Sequence, residues 1–252
     1  MDELDRYRLP VGTGWPEIDA KSMTVVDQLM VDILGISLVQ MMENAGRALA
    51  ALARARFLEG DARGRRILVL AGAGGNGGGA LTAGRRLAAW GAEVSVVLAR
   101  DADAMTGIPA EQLSILARMG IHPGEVSADP IDLIVDGLVG YSLSGSPRGR
   151  VAQLIKWANS RSVPILSLDV PSGFDATNGI LLDPHVRADA TLTLALPKRG
   201  LASTSLAHAV GALYLADISV PPGLYDRLAE PLAVPPFATG DIQRLLRPGE
   251  SA

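Results

Sequence analysis

Ile67-Leu68-Val69-Leu70-Ala71-Gly72-Ala73-Gly74-Gly75-Asn76-Gly77-Gly78-Gly79-Ala80 joins a short apolar run to a stretch made almost entirely of glycine. A run this brief, bounded by turn residues, reads as a buried strand rather than a helix. Glycines placed after a strand allow positive φ and close backbone approach, and a following helix offers unpaired N–H groups to a phosphate. The one side chain of any size among them is the amide of Asn76. The spacing is not clearly the G-x-G-x-x-G dinucleotide fingerprint, because no acidic residue ends the next apolar run, Val94–Leu98. Taken alone, the stretch fits a ligand loop and a plain turn equally well.

Outward from it, short apolar runs alternate with helix-length segments. Ile67–Ala71, Val94–Leu98, Leu133–Val135, Ile165–Leu168, Thr191–Leu196 and Leu213–Leu215 read as strands. Between the first four lie Ala80–Trp90, Ala110–Met119 and Arg150–Ser160, each with apolar residues at three- and four-residue steps. Apolar strands joined by helical crossovers indicate an α/β fold with a mostly parallel sheet covered by helices on both faces. Thr191-Leu192-Thr193-Leu194 alternates, as an edge or half-exposed strand does. Two helices precede the first strand. One starts near Ser22, supported by Thr24 and Asp27, and stops at Gly35; the other starts at Ser37, where Gln40 completes a capping box. Residues 1–20 read as an extended arm, 21–228 as the domain, and 229–252 as a proline-rich tail that wraps the surface or a partner subunit.

Composition removes several function classes. The chain has 252 residues, 48% hydrophobic and 20% charged, with a formal charge of −4. Its arginines are scattered and form no basic face for nucleic acid. No apolar run approaches the ~20 residues of a membrane span, and an acidic N-terminus is unlike a signal peptide, so a cytoplasmic location is expected. The absence of cysteine excludes disulfides, thiolate nucleophiles and Cys-ligated metals. His122, His185 and His208 are far apart and are read as surface or satisfied core residues.

In an open parallel sheet, ligands bind outside the carboxyl ends of the strands. Three segments qualify: the glycine loop, Asp136 to Gly145 after Leu133–Val135, and Asp169-Val170-Pro171-Ser172-Gly173 after Ile165–Leu168. Either aspartate alone reads as a turn cap; both together beside the glycine loop read as a site. A serine-hydrolase elbow at Gly140-Tyr141-Ser142 lacks the glycine required two residues after the serine, where Ser144 stands.

The order of these pieces resembles the NAD(P)H-hydrate epimerases, the YjeF N-terminal domain family, over roughly residues 20 to 228. Met42-Glu43-Asn44-Ala45-Gly46-Arg47 resembles the family's M-E-N-A-G-R helix, and Gly74 to Gly79 its G-N-N-G-G-D loop. Asp136 through Gly145 resembles D-x-x-x-G-x-x-x-x-G, and Asp169 to Gly173 resembles D-[IV]-P-S-G. Ala188-Asp189-Ala190-Thr191, Pro197-Lys198 and Gly211 to Pro221 follow in the family's order.

The resemblance implies a three-layer α/β/α Rossmann-like homodimer that interconverts the R and S epimers at C6 of hydrated NADH and NADPH. It implies a potassium ion held by Asn76, Asp136 and Ser172. It implies substrate contacts at Gly75, Asn76, Gly77, Gly78 and Gly79, at Gly140, Tyr141, Ser142, Leu143, Ser144, Gly145 and Ser146, and at Asp169. Epimerisation needs a proton delivered to an oxygen and later withdrawn. Asp169 is assigned that role, and Asp136 is assigned to hold the cation and set the local charge. Lys198 is read as a solvated surface charge, and Asn44 as a helix-to-loop hydrogen bond. The chain departs from the pattern where Gly75 replaces the first loop asparagine and Gly79 replaces the loop acid. That departure keeps open a non-catalytic nucleotide-binding or protein-interaction module of the same fold. The dehydratase often fused to this domain is expected to be a separate protein acting on the product.

Overall fold

The computed structural model describes residues 9–127 and 129–250. In chain order the elements are β1 (Val11–Gly12), α1 (Ala20–Asp32), α2 (Leu38–Phe57), β2 (Arg66–Ala71), α3 (Gly75–Ala89) and β3 (Glu93–Leu98). There follow α4 (Gly107–Arg118), β4 (Pro123–Gly124), β5 (Leu133–Gly137), α5 (Gly149–Asn159), β6 (Ile165–Leu168), β7 (Phe174–Asp175) and β8 (Ile180–Leu181). β9 (Ala190–Leu194), α6 (Ala207–Val210), β10 (Ala212–Ala216) and β11 (Ile242–Leu245) complete the order.

Nine strands form one sheet in the order β1-β11-β10-β9-β6-β5-β2-β3-β4. Every pair from β4 to β10 is parallel, and β11 turns antiparallel to β10. Because strand side chains alternate between faces, Val69, Val135 and Leu166 pack under α1 to α4, whereas Leu68, Ile134 and Ile165 pack under α5. The result is the expected α/β/α arrangement, with helices on both faces of a mostly parallel sheet. The chain leaves β2 toward β3 and β4 on one side and returns at β5 on the other. The crevice at the β2/β5 boundary is therefore the place where a ligand fits.

Four readings need correction. The first helix is capped by Asp19, whose Oδ1 accepts from the Ser22 backbone N–H at 2.8 Å, so it starts at Ala20 and Asp27 lies in its interior. α3 begins at Gly75 rather than Ala80, so the glycine stretch is the first turn of a helix. Among the glycines from Gly72 to Gly79 none has positive φ. Gly72 and Gly77 are required for close approach instead: a Cβ on Gly72 would lie 1.9 Å from the Leu138 carbonyl oxygen, and one on Gly77 would lie 1.8 Å from that of Gly72. β9 is wholly buried between β6 and β10 and is no edge. Its threonines are accommodated because Thr191 Oγ1 donates to the Val210 carbonyl at 2.7 Å, and Thr193 Oγ1 donates to Asp169 at 3.3 Å. Finally, β1 and β11 bring parts of the arm and the tail into the sheet.

The capping box at Ser37 is present as read, with Gln40 Oε1 accepting from the Ser37 N–H at 2.8 Å. The Met42–Arg47 stretch is mostly a mechanical device. Glu43 pairs with Arg85 and Arg86, Asn44 donates to Ser219 Oγ at 3.0 Å, and Arg47 pairs with Asp241. Gly46 lets α2 cross α3, since its Cβ would meet Thr82 Cβ at 2.5 Å.

Candidate active site

A cavity of about 480 Å³ opens at the carboxyl ends of β2, β5 and β6. The first turn of α3 supplies Gly75, Asn76 and Gly77, and the loop after β5 supplies Gly140, Tyr141 and Ser142. α1 and α2 supply Asp27 and Met42, and the turns after β6 and β9 bring Asp169 and Lys198. A larger cleft of about 720 Å³ lies beyond β3 and β4, lined by Arg100, Asp101 and Arg150. It contains none of the residues the sequence singles out, so the chemistry points to the smaller cavity.

Asp169 is 1% exposed and sits at φ +65°, a left-handed conformation that a non-glycine residue adopts only when its surroundings hold it there. The hold is visible. Its N–H donates to the Leu192 carbonyl at 2.7 Å, and its Oδ1 accepts from the Leu194 N–H at 3.1 Å. Lys198 Nζ donates to the same Oδ1 at 2.5 Å and to the Leu194 and Leu196 carbonyls at 2.8 and 3.3 Å. The lysine is therefore no surface charge. It is 1% exposed, and all three of its protons are spent on oxygens of this corner. Asp169 Oδ2 takes no hydrogen bond among the described residues and is the carboxylate atom left for a ligand.

Asp136, opposite Ser167 in the β5/β6 register, is buried and saturated with donors. Its Oδ1 accepts from Ser172 Oγ at 2.6 Å and the Leu138 N–H at 3.2 Å; its Oδ2 accepts from Ser167 Oγ at 2.8 Å and the Ser172 N–H at 2.9 Å. Burial pushes its carboxyl above the usual range, and these four hydrogen bonds, which favour the charged form, oppose that push. Ser172 Oγ also accepts from the Val139 N–H at 2.9 Å. Asn76 Nδ2 donates to the Leu168 carbonyl at 2.6 Å, which sets its Oδ1 against Gly140, where a Cβ would come within 2.4 Å. Amide, hydroxyl and carboxylate oxygens thus adjoin in one chain of contacts. These are the hard donors a potassium ion takes, so the residues present suit that ion in kind.

Of the sequence-derived substrate residues, Gly75, Asn76, Gly77, Gly140, Tyr141, Ser142 and Asp169 line the cavity. Gly78 and Gly79 are not part of its lining; a Cβ on Gly78 would meet Ile108, which lines the cavity, and one on Gly79 would meet Leu168. Leu143, Ser144, Gly145 and Ser146 continue the same loop outside the lining, as Asp136 and Ser172 lie behind it. Lys198 and Asp27 are the two site residues that sequence reasoning missed. Asp27 Oδ2 accepts from the Tyr141 hydroxyl at 2.5 Å, and burial pushes its carboxyl up.

The sequence of this chain matches the family model described as YjeF-related protein N-terminus over residues 38–200. The chain belongs to that family. It is 45% identical over 244 residues to an NAD(P)H-hydrate epimerase of Dehalogenimonas lykanthroporepellens, covering 95% of this chain and 97% of that protein. It is 34% identical over 233 residues to a bifunctional NAD(P)H-hydrate repair enzyme of Salinibacter ruber, covering 85% of this chain but only 43% of that longer protein. Among solved structures, the yeast protein ynu0 superposes with a TM-score of 0.76 at 23% identity, covering 91% of this chain and all of that one. That likeness supports the family's fold.

Proposed function

We propose that this protein epimerises C6 of hydrated NADH and NADPH, returning the R epimer to the S form that a dehydratase repairs. The observation that carries the reading is Asp169: a buried carboxylate in the turn after β6 that lines the cavity, with one oxygen fixed by Lys198 and the other without a hydrogen bond among the described residues. It stands in a chain closely similar to named epimerases. The non-catalytic alternative gains no support from those relatives.

Inverting C6 breaks and remakes the bond to its hydroxyl, so a group at that oxygen must give and take a proton. Asp169 Oδ2 is proposed as an atom that takes part in that transfer. Lys198 and the Leu194 N–H lock the carboxylate's orientation through the other oxygen. The first turn of α3 presents free backbone N–H groups beside Gly75 and Asn76, suited to the dinucleotide phosphates. Asn76 Oδ1 and Ser172 Oγ, with the Asp136 charge behind them, would hold potassium, and the ion when bound supplies positive charge beside the substrate. The exposed apolar residues Val31, Ile33, Leu34, Leu38 and Val39, of which Leu38 lines the cavity, support association as a homodimer. No helix among the described residues is long and apolar enough to cross a membrane, in keeping with a place in the cytoplasm.

The test offers purified R epimer to the protein together with a dehydratase that accepts only the S epimer, and follows recovery of NADH. The wild type should outrun spontaneous epimerisation. Asp169→Asn should lose turnover by about 10²-fold or more while still binding dinucleotide. Full activity in that variant removes Asp169 from the chemistry, and no acceleration by the wild type rejects the function.

A further inference from the structure

Asp27 is a carboxylate with no part in capping its own helix. α1 already has its N-cap in Asp19, and the neighbours of Asp27 on the helix, Met23, Val26 and Met30, are buried in the apolar core. Carboxylates placed against such a wall are costly unless paired, yet no cation bridges to Asp27 among the described residues. Its one hydrogen-bond partner is the hydroxyl of Tyr141, on the loop after β5, which holds Oδ2 at 2.5 Å. Oδ1 takes no hydrogen bond among the described residues, and Asp27 and Tyr141 line the cavity together with Asp169 and Lys198.

We infer that Asp27 is a second catalytic residue, exchanging protons with the C6 oxygen from the α1 wall of the cavity while Asp169 serves the sheet side. This rests on the epimerase reading. An inversion in which water leaves one face and enters the other needs a proton donor on the first and an acceptor on the second. In the direction considered, Asp27 as the carboxylic acid gives its proton to the C6 hydroxyl. The C6–O bond breaks with its electron pair leaving on water, and the N1 lone pair forms the C6=N1 iminium. Water adds to C6 from the opposite face, the C=N π pair returns to N1, and Asp169 Oδ2 takes the surplus proton. Asp27 ends ionised and Asp169 protonated. Exchange with solvent resets both, and the reverse reaction uses the same groups with their roles exchanged.

The surroundings suit an acid. Burial pushes the Asp27 carboxyl up and the Asp169 charge adds to that, while the Tyr141 hydrogen bond and the Lys198 charge oppose it. The remaining ionisable group that faces it is the Tyr225 hydroxyl, itself pushed up by burial.

The experiment measures kcat and KM on the R epimer, across pH, for the wild type, Asp27→Asn and Tyr141→Phe. Asparagine still accepts from the Tyr141 hydroxyl, so loop support is preserved. Asp27→Asn should lower kcat by about 10²–10³-fold with KM nearly unchanged. It should also abolish the alkaline limb of the kcat profile, where the wild type loses its acid. The wild-type product formed in ¹⁸O-water should carry the label at C6. Should Asp27→Asn not fold, Asp27→Glu carries the same test, a fall in kcat at constant KM. Retention of kcat within threefold, or a loss expressed only in KM and matched by Tyr141→Phe, overturns the inference while leaving the epimerase reading intact. A wild type without turnover refutes that reading itself.

Discussion

Position 79 is where the glycine loop differs from the G-N-N-G-G-D pattern it resembles, and the surroundings of Gly79 bear on that difference. A Cβ there would meet Leu168 Cδ2 at 2.6 Å, with Met42 Sδ at 3.7 Å and Ala45 Cβ at 3.9 Å. The space an acid would occupy is filled by apolar side chains, and Leu168 also supplies the carbonyl that orients Asn76. Restoring the acid by Gly79→Asp should therefore lower stability by about 1–3 kcal/mol, through overpacking and a buried charge. It should not raise kcat/KM. Urea unfolding beside the coupled assay checks both, and a gain in activity at undiminished stability would show that the loop had lost a function. Asn76, Asp136, Asp169 and Ser172 could be picked out from the sequence because strand-end position and residue type agree. Lys198 could not, since lysine is solvated by default and this one is held inside by the Asp169 carboxylate, brought from another turn, with two carbonyls of its own turn. Asp27 hid for the opposite reason: it reads as a helix-start signal, and nothing local shows that it faces a tyrosine 114 residues away.

Among the elements, interior strands and amphipathic helices were legible because each carries its own periodicity. The start of α3 was not. Glycine disfavours a helix by about 1 kcal/mol per residue relative to alanine, so a turn of glycines reads as a loop. Here a Cβ on Gly77 would meet the Gly72 backbone at 1.8 Å, and those on Gly78 and Gly79 would press on the Ile108 and Leu168 side chains at 3.0 and 2.6 Å, so packing overrides propensity. β9 misled for a related reason, as its threonine hydroxyls find acceptors inside the sheet. At the opposite end of the sheet, Asp132 ties β2 to β5. It accepts from the Arg66 N–H at 2.8 Å and from Arg66 Nε and Nη2 at 3.2 and 2.9 Å. The Arg66 hydrogen bonds hold the Asp132 carboxyl below its ordinary value. With the folded value lower than the unfolded one, its contribution is present above the ordinary carboxylate range and lost as pH falls through the folded value. Asp132→Asn should thus lower the melting temperature slightly at neutral pH, the pair being partly exposed and screened. The gap to the wild type should close in acid, and epimerase turnover should be unaffected. A gap that persists unchanged at low pH would show that the aspartate acts through packing alone.

At the scale of the whole molecule, the mostly parallel sheet covered by helices on both faces follows from apolar strands alternating with helical crossovers, which is why the architecture could be read from the sequence. The additions at its far edge could not. Ile242-Gln243-Arg244-Leu245 is short and half polar, and it becomes β11 only because β10 offers an unpaired edge. The cation proposed at the site is likewise invisible to periodicity, because its donors come from the ends of three elements that meet only in the folded chain. That makes it a property of the native state, and an ion that binds only the native state stabilises it by mass action. At a potassium concentration ~100-fold above its dissociation constant the gain is about 2.7 kcal/mol, or roughly 5–10 °C in the melting temperature of a protein of this size. Melting followed at constant ionic strength, with choline replaced stepwise by potassium, should show that rise. Asn76→Ala should show much less of it, since the amide oxygen beside Gly140 is then gone. Identical melting in choline and potassium would remove the cation from this site and leave Asp136 and Ser172 as a buried hydrogen-bonded pair whose work is to shape the loop around Val139.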